Sequence, residues 1–138
     1  MPNYLRSADF DSDGRDDLVV SDGGSDSLTI LRGADGAQLQ TMTLPAGRLP
    51  TALLTRDLNR DGHADVLVAS MVGADFRVML GDGLGGFAEA LVFPGVYTAV
   101  TAAFGDLDGD GLEDLLIGSL FSERLETFRN VSRPAEDN

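Results

Sequence analysis

Short apolar runs punctuate this chain, and none of them is long. Leu18-Val19-Val20, Val66-Leu67-Val68-Ala69 and Leu115-Leu116-Ile117-Gly118 are rich in branched side chains and bounded by polar or glycine-rich stretches. Runs of that length and make-up predict buried strands rather than helices. Weaker apolar segments flank each one. In the first third the pattern predicts strands at Tyr4 to Ala8, Leu18 to Ser21, Leu28 to Arg32 and Gln38 to Leu44, with turns at Asp22-Gly23-Gly24 and Gly33-Ala34-Asp35-Gly36. The middle third repeats the plan at Thr51 to Thr55, Val66 to Ala69, Arg77 to Leu80 and Phe87 to Phe93, with Gly81 to Gly86 as a glycine-rich hairpin loop. The last third supplies Ala99 to Phe104, Leu115 to Gly118 and Leu125 to Arg129, and then a polar, proline-containing tail over 132–138. Four short strands per ~40–50 residues is the signature of a propeller blade. The expected fold class is all-β: a β-propeller with three four-stranded-type blades over 1–46, 47–95 and 96–131, the third lacking its outermost strand.

Directly before each main apolar run stands the same acidic loop. It reads Asp9-Phe10-Asp11-Ser12-Asp13-Gly14-Arg15-Asp16-Asp17, then Asp57-Leu58-Asn59-Arg60-Asp61-Gly62-His63-Ala64-Asp65, then Asp106-Leu107-Asp108-Gly109-Asp110-Gly111-Leu112-Glu113-Asp114. The starts are 48 and 49 residues apart (57 − 9 and 106 − 57). Ca²⁺ is a hard cation that takes six to eight oxygen ligands at roughly 2.3–2.6 Å. Carboxylates at positions 1, 3 and 5 of a tightly curved loop can point at one centre. Glycine at position 6 (Gly14, Gly62, Gly111) permits the sharp turn. Position 7 (Arg15, His63, Leu112) varies in type, as expected where only its backbone carbonyl is used. Position 9 (Asp17, Asp65, Asp114) can close the shell. The candidate ligands are thus Asp9, Asp11, Asp13, Arg15 and Asp17; Asp57, Asn59, Asp61, His63 and Asp65; Asp106, Asp108, Asp110, Leu112 and Asp114, giving three calcium sites. Asn59 removes one charge from the second loop, so that site is expected to be the weakest.

A single Asp-Gly-rich loop is most simply a solvated turn; three in register point to metal. The loops are not EF-hands. An EF-hand needs a bidentate Glu at position 12 and flanking helices, whereas position 12 here is Val20, Val68 and Ile117, inside the predicted strands.

Charge sharpens this picture. The net charge is −13, from 10 basic and 23 acidic residues. Eleven acids are loop ligands, leaving 12 acids against 10 bases. The acidity belongs to the loops, and three Ca²⁺ would bring the total to −7. Nucleic acid is an unexpected partner, because no basic patch exists. No Cys is present, which removes disulfides, thiol catalysis and Cys-based zinc sites. All ten basic residues are Arg, so no lysine amine is available as a nucleophile. No apolar run approaches the ~18 residues of a membrane span, so no membrane insertion is expected. His63, the one histidine, is expected to expose its side chain and to bind metal through its carbonyl, not to act as a base. Asn130-Val131-Ser132 fits a glycosylation sequon of a kind common by chance.

The segments Asp57 to Ala69 and Gly105 to Gly118 resemble FG-GAP/VCBS repeats, the blades of integrin-alpha-like β-propellers, and Leu80 to Phe87 resembles the next hairpin of such repeats. The resemblance runs from about residue 3 to residue 130. It implies that each acidic loop joins the first and second strands of a blade and binds calcium at its rim. Such repeats occur in adhesion receptors, lectins, bacterial surface proteins and some polysaccharide lyases, so the resemblance supplies a scaffold and a metal rather than a ligand.

Such propellers usually close with six to eight blades. Three blades would leave a sheet face open at each end. Either copies assemble head to tail, the simplest ring being a homodimer, or further blades belong to the same chain; self-association is the expectation favoured here. The leading functional reading is a non-enzymatic calcium-binding module, a lectin-like or protein-binding adhesion scaffold. Arg48, Phe76, Tyr97 and Phe121 are the surface candidates, each equally able to be packing. Two alternatives stand beside it. A sector of a polysaccharide lyase would draw on Tyr4, Tyr97, His63 and the arginines, and a purely structural half-propeller would only assemble. Loops of this composition fill at ~0.1–1 mM calcium, which suits an extracellular or cell-surface protein.

Overall fold

The structure, a computed structural model, describes residues 2–33, 40–95, 97–120 and 124–131. It is all-β, with three antiparallel sheets built in chain order. The first contains β1 (Pro2–Ala8), β2 (Asp17–Asp22), β3 (Ser27–Arg32) and β4 (Gln40–Pro45). The second contains β5 (Pro50–Arg56), β6 (Asp65–Ser70), β7 (Asp75–Met79) and β8 (Leu91–Pro94). The third, three-stranded among the described residues, contains β9 (Ala99–Gly105), β10 (Asp114–Ser119) and β11 (Leu125–Phe128). Each sheet is a meander in which sequence neighbours pair, and the first strands β1, β5 and β9 lie side by side across the three. These features are consistent with propeller blades.

Period-two alternation decides how the sheets stack, because successive side chains on a strand point to opposite faces. β6 is buried along its whole length, since both of its faces are covered. Val66 and Val68 face the first sheet and, with Leu53 and Met79 of their own sheet, join its Val19, Leu28 and Ile30 in one cluster. Leu67 and Ala69 face the third sheet and join Ala52, Phe76, Ala99, Leu115 and Ile117 in another. The repeat persists at the level of single backbone angles. Asp26 and Ala74 (φ 53° and 50°) occupy equivalent left-handed hairpin positions, as do Leu49 and Thr98 (φ 53° and 61°) in the crossovers between sheets.

One strand departs from expectation. The segment Phe87 to Phe93 was expected to pair throughout, but the fourth strand of the second sheet begins only at Leu91. Before it, Gly81 and Phe87 form an isolated bridge and Asp82 Oδ1 accepts the amides of Leu84 and Gly86. This closed turn sends the Phe87 ring into the first cluster, where it meets Phe10 edge-on at 5.3 Å. Ala88 still donates its amide to the Leu80 carbonyl at 2.8 Å, and the regular ladder resumes at Leu91. Of the sequence-based expectations, residues 34–36 of the first glycine turn, Gln38 and Leu39, Phe121 and the 132–138 tail lie outside the described residues.

Candidate metal centres

All three acidic loops join the first and second strands of a sheet. Glycine at position 6 is left-handed in each, with φ of 85° at Gly14, 88° at Gly62 and 86° at Gly111. Position 4 is left-handed as well (Ser12 58°, Arg60 62°, Gly109 77°). That second requirement escapes a reading of composition, because only the third loop advertises it with a glycine. The two left-handed residues curl the backbone over the position 1 carboxylate. Asp9 accepts the amides of Asp13 (3.1 Å) and Gly14 (2.9 Å), Asp57 those of Asp61 (3.2 Å) and Gly62 (2.9 Å), and Asp106 those of Gly109 (2.7 Å) and Gly111 (3.0 Å).

Position 9 is the buried end of the loop. Asp17, Asp65 and Asp114 are each at most 3 % exposed. Each holds two backbone amides. Oδ2 accepts from position 2 of its own loop: Phe10 (3.1 Å), Leu58 (2.7 Å) and Leu107 (3.0 Å). Oδ1 accepts from the residue just beyond the third strand: Gly33 (3.0 Å), Gly81 (2.9 Å) and Asn130 (2.9 Å). The residue expected to close a metal shell therefore also pins the loop to the third strand. Burial pushes the Asp65 carboxyl above its ordinary value; the amides of Leu58 and Gly81 oppose this, and repulsion from Asp61 and Asp57 adds to it. A cation at the loop would favour the ionised form.

Among the described residues, two acidic triads bring one carboxylate oxygen each to within 4.8 Å of the others: Asp9, Asp11 and Asp17, and Asp106, Asp108 and Asp114. These are positions 1, 3 and 9. Within the first triad, Asp11 Oδ1 is buried and accepts no hydrogen bond. A buried carboxylate oxygen without a donor costs free energy that a cation would repay, so this donor set fits a hard, oxygen-seeking metal. Asp13 and Asp110, at position 5, stand outside the triads, and each caps the amide of position 7: Arg15 (2.9 Å) and Leu112 (2.8 Å). The second loop forms no acidic triad. Its position 3 amide, Asn59, donates to Asp61 Oδ2 at 2.9 Å, and Asp61 caps the amide of His63 at 2.9 Å.

The side chains at position 7 differ as much as their types. Arg15 pairs with Asp13 at 3.4 Å on the surface. His63 exposes its ring only in part: Nδ1 is buried, and the ring lies against Gly83, where a Cβ would fall 2.2 Å from Nδ1. The cause is tertiary, since the hairpin after β7 folds back over the loop. Phe76 is likewise packing, 5 % exposed and stacked on Phe93 at 5.0 Å, whereas Tyr97 is 72 % exposed. Asn130 uses its side-chain amide to donate to the Leu58 carbonyl at 3.1 Å.

Three repeated antiparallel sheets, each entered through an Asp-rich loop on its first hairpin, define a β-repeat module with acidic clusters that could hold metal. The chain belongs to the FG-GAP-like repeat family, whose pattern matches residues 9–68 and again 57–117. No curated protein matches the chain significantly.

Proposed function

We propose that the chain is a calcium-binding β-propeller sector that serves as a non-enzymatic binding or adhesion scaffold, lectin-like or protein-binding, at the cell surface or outside the cell. The observation that carries the reading is the pair of Asp triads, one of them with a buried carboxylate oxygen lacking any donor. In this reading Asp9, Asp11, Asp13, Asp17 and the Arg15 carbonyl form the first site. Asp106, Asp108, Asp110, Asp114 and the Leu112 carbonyl form the third. Asp57, Asn59, Asp61, Asp65 and the His63 carbonyl form a second, weaker one.

We also propose that two copies close head to tail into a six-bladed ring. The two open sheet faces support this, because they carry the residue types that the internal faces bury. On the first sheet Leu5, opposite Val20, is 52 % exposed, while Leu53, its equivalent opposite Val68, is 1 % exposed. On the third sheet Leu125, opposite Gly118, is 65 % exposed, while its equivalents Leu28 and Phe76 are 0 % and 5 % exposed. Each open face thus has the chemistry of one half of an existing seam.

Calorimetric titration of the metal-stripped chain tests the first part. Two tighter sites and one weaker site are expected, and no heat up to millimolar calcium would refute the metal reading. A site held at 100 times its dissociation constant adds about 2.7 kcal/mol to stability, so chelation should lower the melting temperature clearly. Light scattering tests the second part: a mass of two chains is expected in calcium, and a monomer with and without calcium would exclude the ring.

A further inference from the structure

Position 3 is where the three loops diverge. In the second loop it is the neutral Asn59. In the first, Asp11 Oδ1 is buried and accepts no hydrogen bond. In the third, Asp108 is paired with the Arg129 guanidinium. The repeat itself brings Arg129 to that place. Asp114 Oδ1 accepts the amide of Asn130 at 2.9 Å, as Asp17 and Asp65 accept those of Gly33 and Gly81. The residue just before that amide is therefore held beside the loop in every copy. It is Arg32 in the first copy, where it donates to the Leu84 carbonyl at 3.2 Å, Leu80 in the second and Arg129 in the third.

Two further arginines reach the third loop from the second sheet. Arg56 pairs with Glu113, position 8, at 2.7 Å. Arg60 Nη2 lies 3.4 Å from where a Cβ on Gly111, position 6, would stand. The matching residues of the first sheet are Ala8, which like Arg56 pairs with position 9 of its own loop, and Ser12, which like Arg60 is position 4. Neither brings a charge to the second loop. The third loop alone thus combines an acidic triad with guanidinium groups delivered by β5, the second loop and the end of β11.

Resting on the calcium reading above, we infer that Arg129, backed by Arg60, is an internal counter-cation of the third loop. It holds the position 3 carboxylate when calcium is absent and must release it for the ion to enter. A guanidinium and a hard cation compete for the same carboxylate lone pairs, and their positive charges repel. The competition sets the calcium affinity of this site below that of the first, whose position 3 oxygen holds no donor. It also relieves the carboxylate crowding that would otherwise weaken the loop without metal. Calcium then acts as the trigger that frees the Arg129 side chain.

The test follows the amide signals of Gly14, Gly62 and Gly111 in proton–nitrogen correlation spectra while calcium is added to the metal-stripped full chain. Each of these amides donates to the position 1 carboxylate of its own loop, so each reports one site. Arg129→Gln should tighten the third site about two- to fivefold, the worth of an exposed ion pair, and leave the Gly14 titration unchanged. Arg60→Gln should act in the same direction, and Arg129→Lys should keep the wild-type value. Thermal melting separates this role from a structural one. Arg129→Gln should melt below wild type in chelator, and the gap should close in saturating calcium. An equal loss in both conditions, or a third-site affinity that is unchanged or weakened in Arg129→Gln, would overturn the assignment and leave the calcium reading intact. No response of any of the three amides in wild type up to millimolar calcium would overturn both.

Discussion

The two seams between the three sheets start from the same plan and end differently. In the seam between the first and second sheets, the loop residue Phe10 is sealed under Phe87, and the hairpin that delivers Phe87 leans on Arg32 and His63. In the seam between the second and third sheets, Leu58 takes the place of Phe10, Phe128 meets Phe76 edge-on at 4.8 Å, and among the described residues the space beside them is open. Both seams bury branched residues of β6, one on each face. The difference lies in the outer layer, just past the third strand: Gly81 opens a compact hairpin, whereas Asn130 folds its own amide onto Leu58. The inner strands therefore fix how the sheets stack, and in the first seam the segment after the third strand of the second sheet closes it.

The sharpest way to break this comparison is to empty both loop positions. Phe10→Ala should cost about 3–5 kcal/mol in urea denaturation, the usual cost of removing a sealed aromatic. Leu58→Ala should cost about 1 kcal/mol or less, because its side chain is half exposed to the cleft. Equal costs would mean that the second seam is as closed as the first. Next in size are the buried position 9 carboxylates. Asp17→Ala strands the amides of Phe10 and Gly33 and should cost about 2–4 kcal/mol, whereas Asp114→Ala, whose donors lie nearer water, should cost about half of that. Asp11→Asn separates anchoring from metal binding: in chelator it should leave the melting temperature unchanged or slightly raised, because a crowded buried charge is removed, while weakening the calcium response. A pair of glycine variants sharpens the role of the hairpin. A Cβ at Gly81 would fall 2.3 Å from the Ala64 carbonyl oxygen, which is backbone and cannot step aside, while a Cβ at Gly33 meets nothing within 4 Å. Gly81→Ala should therefore destabilise by about 1–3 kcal/mol, and Gly33→Ala by no more than about 0.5 kcal/mol, by thermal melting of the two variants.

Much of this architecture was legible beforehand, for identifiable reasons. Val66-Leu67-Val68-Ala69 is apolar without a break because both faces of β6 are covered, so a continuous run correctly signalled a buried strand. Gly14, Gly62 and Gly111 announced their left-handed turns by residue type. Ser12 and Arg60 did not, since their conformation is imposed by the loop around them. The double duty of Asp17, Asp65 and Asp114 was hidden as well, because its second half is a bond to a residue 16 positions onward. His63 and Phe76 depended on the same kind of contact: local sequence marked His63 as an exposed loop residue and left Phe76 open between surface and packing, and a hairpin half-covers the first while a neighbouring sheet buries the second.

By itself, then, the sequence determined whatever repeats. Strand-length apolar runs, the acidic loops at intervals of 48 and 49 residues and the position 6 glycines each act within a few residues of one another. The family match over 9–68 and 57–117 rests on that same local regularity. Only the tertiary structure decided which copies of the repeat differ in effect. Whether a position 2 side chain is sealed or left facing a cleft, and whether a carboxylate oxygen finds a donor, depends on what a distant segment brings to it. Those contacts form across sheets, between residues whose separation along the chain carries no pattern to read.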